Sequence, residues 1–129
     1  MKVLFFIIVL AVLLIVLVLS LFRVVQVVGN SMFPTYRDGE ILLAYTFFRE
    51  KKLKVGDVVV FRPPYDMGEI KVLIKRISMI DYDKDGDIIA LYFLGDNLND
   101  SFDSRDYGFV CVNNVIAKLF DQRKKVKEA

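Results

Sequence analysis

The chain has 129 residues, the length of about one ordinary domain, and its 18 Lys and Arg against 16 Asp and Glu leave a net charge of +2. That near-balance argues against a nucleic-acid partner, which needs a dense basic face. Histidine and tryptophan are absent and cysteine occurs once, as Cys111, which removes Ser-His and Cys-His catalytic pairs, the usual zinc sites and any internal disulfide. Chemistry must therefore come from Ser, Thr, Lys, Tyr or carboxylates. Hydrophobic residues reach 55%, more than a soluble domain usually carries, so part of the chain should face lipid or a partner.

The excess is concentrated at the start. Residues 3–22 are apolar except for Ser20. At about 1.5 Å per residue a helix of this length reaches roughly 30 Å, the thickness of a bilayer's hydrocarbon core. The run is apolar all round and has no face reserved for a soluble core. A cleaved signal peptide would end on a small-residue site, whereas Val24-Val25-Gln26-Val27-Val28 follows here. The expectation is an uncleaved membrane anchor over residues 1–23. Lys2 and the amino terminus precede the span and Arg23 follows it, a small bias that places the amino terminus in the cytoplasm and the rest outside.

Beyond the anchor, apolar residues alternate or run in short blocks between turn residues, without a sustained helical period. Strands are expected over 24–28, 40–45, 57–62, 69–80, 87–94, 108–112 and 115–120. Asp38-Gly39, Gly56-Asp57, Pro63-Pro64, Asp85-Gly86 and Asn113-Asn114 separate them. So many short strands in so short a stretch predict a mainly β fold, a compact barrel-like or sandwich-like domain over 24–122. Residues 123–129 read as a solvated basic tail.

Three segments can carry chemistry. Gly29-Asn30-Ser31-Met32-Phe33-Pro34-Thr35 combines residues that permit or fix unusual backbone angles, so Ser31 stands on a rigid turn; an ordinary turn serine is the plainer reading. Lys75, on the strand after Lys71, shares a face with Leu73, Ile77 and Met79 if alternation holds. An ammonium among apolar neighbours is open to desolvation. Serving as a base near pH 7.4 requires its pKa to fall from about 10.4, roughly 4 kcal/mol. A lysine whose head snorkels to water is the alternative. The third segment, from Gly95 to Gly108, is dense in polar groups that can fix one another: Asp103 with Arg105, Asn97 with backbone groups, and Ser101 or Ser104 with an amine.

Together these segments resemble the type I signal peptidases, membrane-bound serine–lysine proteases. The matching stretches are Ser31-Met32-Phe33-Pro34-Thr35, Gly56-Asp57-Val58-Val59-Val60-Phe61, Lys75-Arg76-Ile77, and Gly95-Asp96-Asn97 through Ser101, Asp103-Ser104-Arg105 and Gly108. They occur in that family's order behind an amino-terminal span. The resemblance implies Ser31 as nucleophile with its backbone N–H in the oxyanion hole, Lys75 as general base, and Ser101 orienting the lysine amine. It also implies structural support from Asp103, Arg105, Asp96 and Asn97, and no metal or other cofactor. Serine–lysine pairing is a known variant of the catalytic triad and needs no histidine.

Two departures stand out. Gly29 occupies a position where some members carry a serine that adds an oxyanion donor. Ser78-Met79-Ile80-Asp81-Tyr82 replaces the glycine and turn that usually follow the lysine, and the short stretch from Lys75 to Gly95 leaves no room for an inserted second β domain. The implied substrate is the signal peptide of a secretory preprotein, bound as an extended strand, with a functional link to the secretion translocon and a bacterial cell-membrane location. Val27, Phe33, Tyr36 and Ile74 flank the two catalytic positions and are the candidate pocket walls, with ordinary core packing as the equal alternative for each. The aromatic and basic loop 45–54 suits either the lipid interface or solvent. Asp81 to Ile88 imitates the start of an EF-hand loop, but Tyr92 stands where its final glutamate belongs, so a hairpin tip is expected, with a weak calcium site as the alternative. Two rivals remain: a maturation peptidase with one dedicated client, and a non-catalytic membrane-tethered β-domain for binding or scaffolding.

Overall fold

With no polar face to offer a core, the amino-terminal run forms one helix, α1 (Lys2–Leu21), none of whose side chains is buried. It is long and apolar enough to cross a membrane. The computed structural model describes residues 1–126, so Lys127 of the expected basic tail lies outside the described residues. Helix α1 passes without a linker into strand β1 (Phe22–Gln26). Its last carbonyls would be orphaned there. Thr46 meets the last two, its N–H reaching Leu21 O at 2.8 Å and its hydroxyl lying 3.1 Å from both Ser20 O and Leu21 O. Phe22, Tyr45, Phe47 and Phe120 pack around this junction with contacting ring centroids 4.6–5.9 Å apart.

The remaining strands are β2 (Ile41–Tyr45), β3 (Val58–Phe61), β4 (Leu73–Tyr82), β5 (Ile88–Leu94), β6 (Val110–Cys111) and β7 (Val115–Leu119). Each overlaps an expected strand. They form a single antiparallel sheet in the order β1-β2-β7-β3-β4-β5-β6, a half-barrel whose end strands do not pair with each other. β3 lies inside it, between β4 and β7, and all four of its residues are buried. Alternation sends Val59 and Phe61 into one core with Ile77, Leu91 and Phe93. Val58 and Val60 enter a second core with Met32, Tyr36, Leu42 and Leu119. The Phe61 and Phe93 rings stack at 3.9 Å in the first.

One expected pattern changes inside β4. The β4–β5 register shifts between Ile77, opposite Phe93, and Met79, opposite Tyr92. Ser78 is the extra residue of a bulge, which exchanges the faces beyond it. Ile80 therefore packs on the core and Met79 is left exposed. Lys75 keeps the face of Leu73 and Ile77 but loses Met79. The strand runs on to Tyr82 and turns at a hairpin tip, where Asp83 Oδ1 accepts from the N–H groups of Asp85 and Asp87 at 2.9 and 3.0 Å. That carboxylate caps its own turn, as short polar side chains do.

Candidate active site

Ser31 stands on a turn held from several sides. Gly29 opens it at φ +85, a region that disfavours side chains, and its N–H donates to Asp38 Oδ1 at 2.8 Å. Asn97 grips the middle: its backbone N–H reaches Ser31 O at 2.8 Å and its side-chain amide reaches Asn30 O at 3.0 Å. Met32 and Tyr36 are sunk in the second core, and the Tyr36 N–H closes the turn on Met32 O at 2.9 Å. The Ser31 N–H has no hydrogen-bond partner among the described residues. The backbone that carries Ser31 is fixed while one donor stays available.

Lys75 lies opposite Val59 across the β3–β4 ladder and is only 4% exposed. Its Nζ donates to Ser31 Oγ at 2.7 Å, and among the described residues no carboxylate forms an ion pair with it. Burial therefore pulls its pKa down to about 8, against the opposing attraction of the Asp103 charge. The two positions that the sequence singled out for catalysis meet here, although 44 residues apart in the chain.

The loop after β5 closes over this pair. A Cβ on Gly95 would overlap the Ser101 hydroxyl and lie 2.6 Å from Ser31 O; the Ser31 turn and Ser101 can approach so closely only across a glycine. Ser101 Oγ is buried without a hydrogen-bond partner among the described residues, so it makes no bond to Lys75. Asp103 is fully buried and begins a helical turn, α2 (Ser104–Tyr107), through a capping box with Asp106. Burial pushes the Asp103 carboxyl up, but Arg105, bound at 2.9 Å through Nε and Nη2, and the Gly95 N–H at 3.0 Å outweigh it and hold the pKa at about 2. Asp96 is engaged just as firmly from β4. Arg76 Nε and Nη2 bind its two oxygens at 2.8 and 2.7 Å, while Nη1 reaches Gly56 O at 2.8 Å.

A groove of about 560 Å³ leads to the pair, with Val24, Val25, Val27 and Val28 on one wall and Ile70, Val72, Leu73 and Ile74 on the other. Val27 and Ile74 thus stand where pocket residues were expected. Tyr36 and Phe33 do not. The Tyr36 ring is fully buried in the second core and its hydroxyl donates to Asp121 O at 2.6 Å. Phe33 turns outward beneath the Arg37 guanidinium, 5.8 Å from its ring centre. Neighbours in a tight turn point in different directions, so proximity to Ser31 in the chain was a poor guide.

Two features escaped the sequence. Gly95 was visible as the start of a polar loop and as part of a matching stretch, but its close contact with Ser31 exists only in the folded chain. Arg123, expected in a solvated tail, binds Glu40 through Nη1 and Nη2 at 3.0 and 2.8 Å, because the carboxylate-bearing turn after Ser31 is folded beneath the end of β7.

Compared with protein-family models, residues 1–83 match the family described as signal peptidase, peptidase S26. The match includes Ser31 and Lys75 and stops before the Gly95–Gly108 loop. No curated protein matches the chain.

Proposed function

The chain belongs to the signal peptidase family, peptidase S26, and from that premise we propose that it is a membrane-anchored endopeptidase that removes signal peptides, with Ser31 as nucleophile and Lys75 as general base. The observation that carries this reading is the 2.7 Å contact between Lys75 Nζ and Ser31 Oγ, made by a lysine whose pKa burial has lowered to about 8. Neutral Lys75 takes the Ser31 proton as Oγ attacks the scissile carbonyl carbon. The free Ser31 N–H faces the developing oxyanion. Collapse breaks the C–N bond, and the new Lys75 ammonium returns its proton to the leaving amine. Water, deprotonated in turn by Lys75, then hydrolyses the acyl-enzyme and frees Ser31.

The groove supports an extended peptide. β1 is an edge strand, paired only with β2, so its free edge and the segment 69–75 can flank a substrate strand whose alternate side chains meet Val27 and Ile74. Helix α1 anchors the domain, with the aromatic cluster at its carboxyl end at headgroup depth. The catalytic domain lies on the extracytoplasmic face of a bacterial membrane, where the translocon delivers preproteins. Asp103, Arg105, Asp96 and Asn97 support the site, and the buried, unpartnered Ser101 hydroxyl beside the serine turn supports a role in orienting the amine. The tight β4–β5 hairpin favours a second reading, one dedicated client, since it adds no further substrate-contact surface. A panel of preproteins separates general turnover from a single accepted client.

The test is cleavage of a preprotein by the full chain in detergent. Wild-type kcat/KM should rise with pH through about 8, since below that value Lys75 is an ammonium and cannot accept a proton; at pH 7 about one tenth of the plateau remains. Lys75→Ala and Ser31→Ala should each reduce cleavage by about 10³-fold. Full activity in either variant overturns the mechanism.

A further inference from the structure

The segment after β7 is bolted to the sheet and then to the turn that carries Ser31. Gln122 makes the first attachment: its Oε1 accepts from Val58 N, and its Nε2 donates to Val58 O and Leu119 O, all at 2.8 Å. Arg123 makes the second, and it uses the whole guanidinium. Nε donates to Asp121 Oδ2 at 2.9 Å, Nη1 to Thr35 O at 2.9 Å and Glu40 Oε1 at 3.0 Å, and Nη2 to Glu40 Oε2 at 2.8 Å. The plane lies over the Tyr36 ring, 4.8 Å from its centre. The Tyr36 hydroxyl is caught between Asp121 O and the Arg123 N–H, at 2.6 and 3.0 Å. Glu40 also accepts from Arg37 N at 2.9 Å. One side chain therefore clamps three points of the segment 35–40, which begins four residues beyond Ser31 and is joined to it through the Tyr36–Met32 hydrogen bond.

We infer that Arg123 is a positioning residue for Ser31: acting through Thr35, Tyr36 and Glu40, it fixes the far end of the nucleophile's turn while Asn97 fixes the near end. This rests on Ser31 being the nucleophile. Two physical points carry it. The Thr35 carbonyl and the Tyr36 ring belong to the serine turn itself, so a shift in the clamp is a shift in the backbone that sets Oγ. Hydroxyl, amine and carbonyl must meet within a few tenths of an ångström for attack, and a 1 Å displacement originating far from the chemistry can slow a reaction by about 10²-fold. Only a planar fork can serve Asp121, Thr35 and both Glu40 oxygens together; an ammonium cannot.

The experiment compares two attachments of the same segment, using preprotein cleavage and thermal unfolding of the full chain in detergent. Arg123→Lys keeps the charge and loses the fork. Its kcat should fall about tenfold with KM within about twofold, and its pH midpoint should stay at the wild-type value because the surroundings of Lys75 are untouched. Gln122→Ala loosens the segment from β3 without touching the serine turn; it should lower Tm and leave kcat unchanged. Should Arg123→Lys fail to fold, Tyr36→Phe, which removes only the hydroxyl between Asp121 and Arg123, should still lower kcat. Wild-type kcat in the folded Arg123 variant, or equal kcat losses in the Arg123 and Gln122 variants, overturns the assignment. Ser31→Ala separates the two layers. If it cleaves normally, the nucleophile assignment falls and this inference with it; if it is dead while Arg123→Lys is fully active, only the positioning role falls.

Discussion

Two lysines flank Val59 in the sheet, Lys75 on β4 and Lys118 on β7. Residues directly opposite in a ladder share a face, so both start from the same side of the same row. Their partners differ. Lys118 Nζ lies 3.1 Å from Asp57 Oδ2, a carboxylate with 6% of its side chain exposed. Lys75 Nζ meets the neutral Ser31 hydroxyl instead. One lysine is held as half of an ion pair and the other is left to be desolvated, and the second arrangement lowers the proton affinity of an amine. Burial lowers the proton affinity of Lys75 because, among the described residues, no carboxylate lies within ion-pairing distance of its amine.

That contrast can be broken most directly by giving Lys75 what Lys118 has. Ser31→Asp sets a carboxylate against the Lys75 amine, and NMR titration of the side chain should find its midpoint moved upward from about 8. A midpoint that stays put would mean that the partner does not matter.

The same substitution at the two sites should have opposite effects on stability. Because the folded pKa of Lys75 is depressed, the unfolded chain binds more protons between about pH 8 and 10.5, so its stability contribution improves as pH rises across that window. Below it the desolvated ammonium destabilises the fold by up to about 3 kcal/mol. Lys75→Met should therefore raise Tm at pH 7. Lys118→Met should lower stability by about 1–3 kcal/mol, since it leaves the buried Asp57 carboxylate without its cation and, among the described residues, with only the Lys54 N–H as donor. Urea unfolding of both variants at pH 7 measures the pair, and equal signs would refute the comparison.

A smaller effect sharpens it. The nearest influence of a carboxylate on Lys75 is the Asp103 charge, which favours the ammonium and is itself engaged by Arg105. Arg105→Ala should leave that charge less compensated and move the pH midpoint of cleavage upward by about a few tenths of a unit. No movement, or an acid shift, would show that Asp103 does not reach the amine.

Much of this was legible in the residue order. An apolar run with no polar face reads as a lipid-length helix, and the apolar block in 57–62 and the partial alternation in 69–80 predict strands, with Lys75 on a strand face among apolar neighbours. Other features were not legible, for identifiable reasons. The Ser78 bulge is a choice of register between β4 and β5, made because it lets Ile80 rather than Met79 fill the core. Phe33 and Tyr36 flank Ser31 as expected, yet one faces out and the other plugs a core, since turn residues have no period to follow. Arg123 looked like one base among several until Glu40 and Thr35 were folded against it.

Local chemistry is written in the chain itself: where apolar runs begin and end, which residues bend the backbone, and which side chains can give or accept a proton. These determined the helix, the strands and the two residues proposed for catalysis. Which amine meets a hydroxyl and which meets a carboxylate, which glycine must admit a neighbouring loop, and which arginine grips the serine turn were decided by contacts between distant segments. Such contacts depend on register and close packing, where one inserted residue redirects every side chain beyond it, and that information exists only once the sheet has formed.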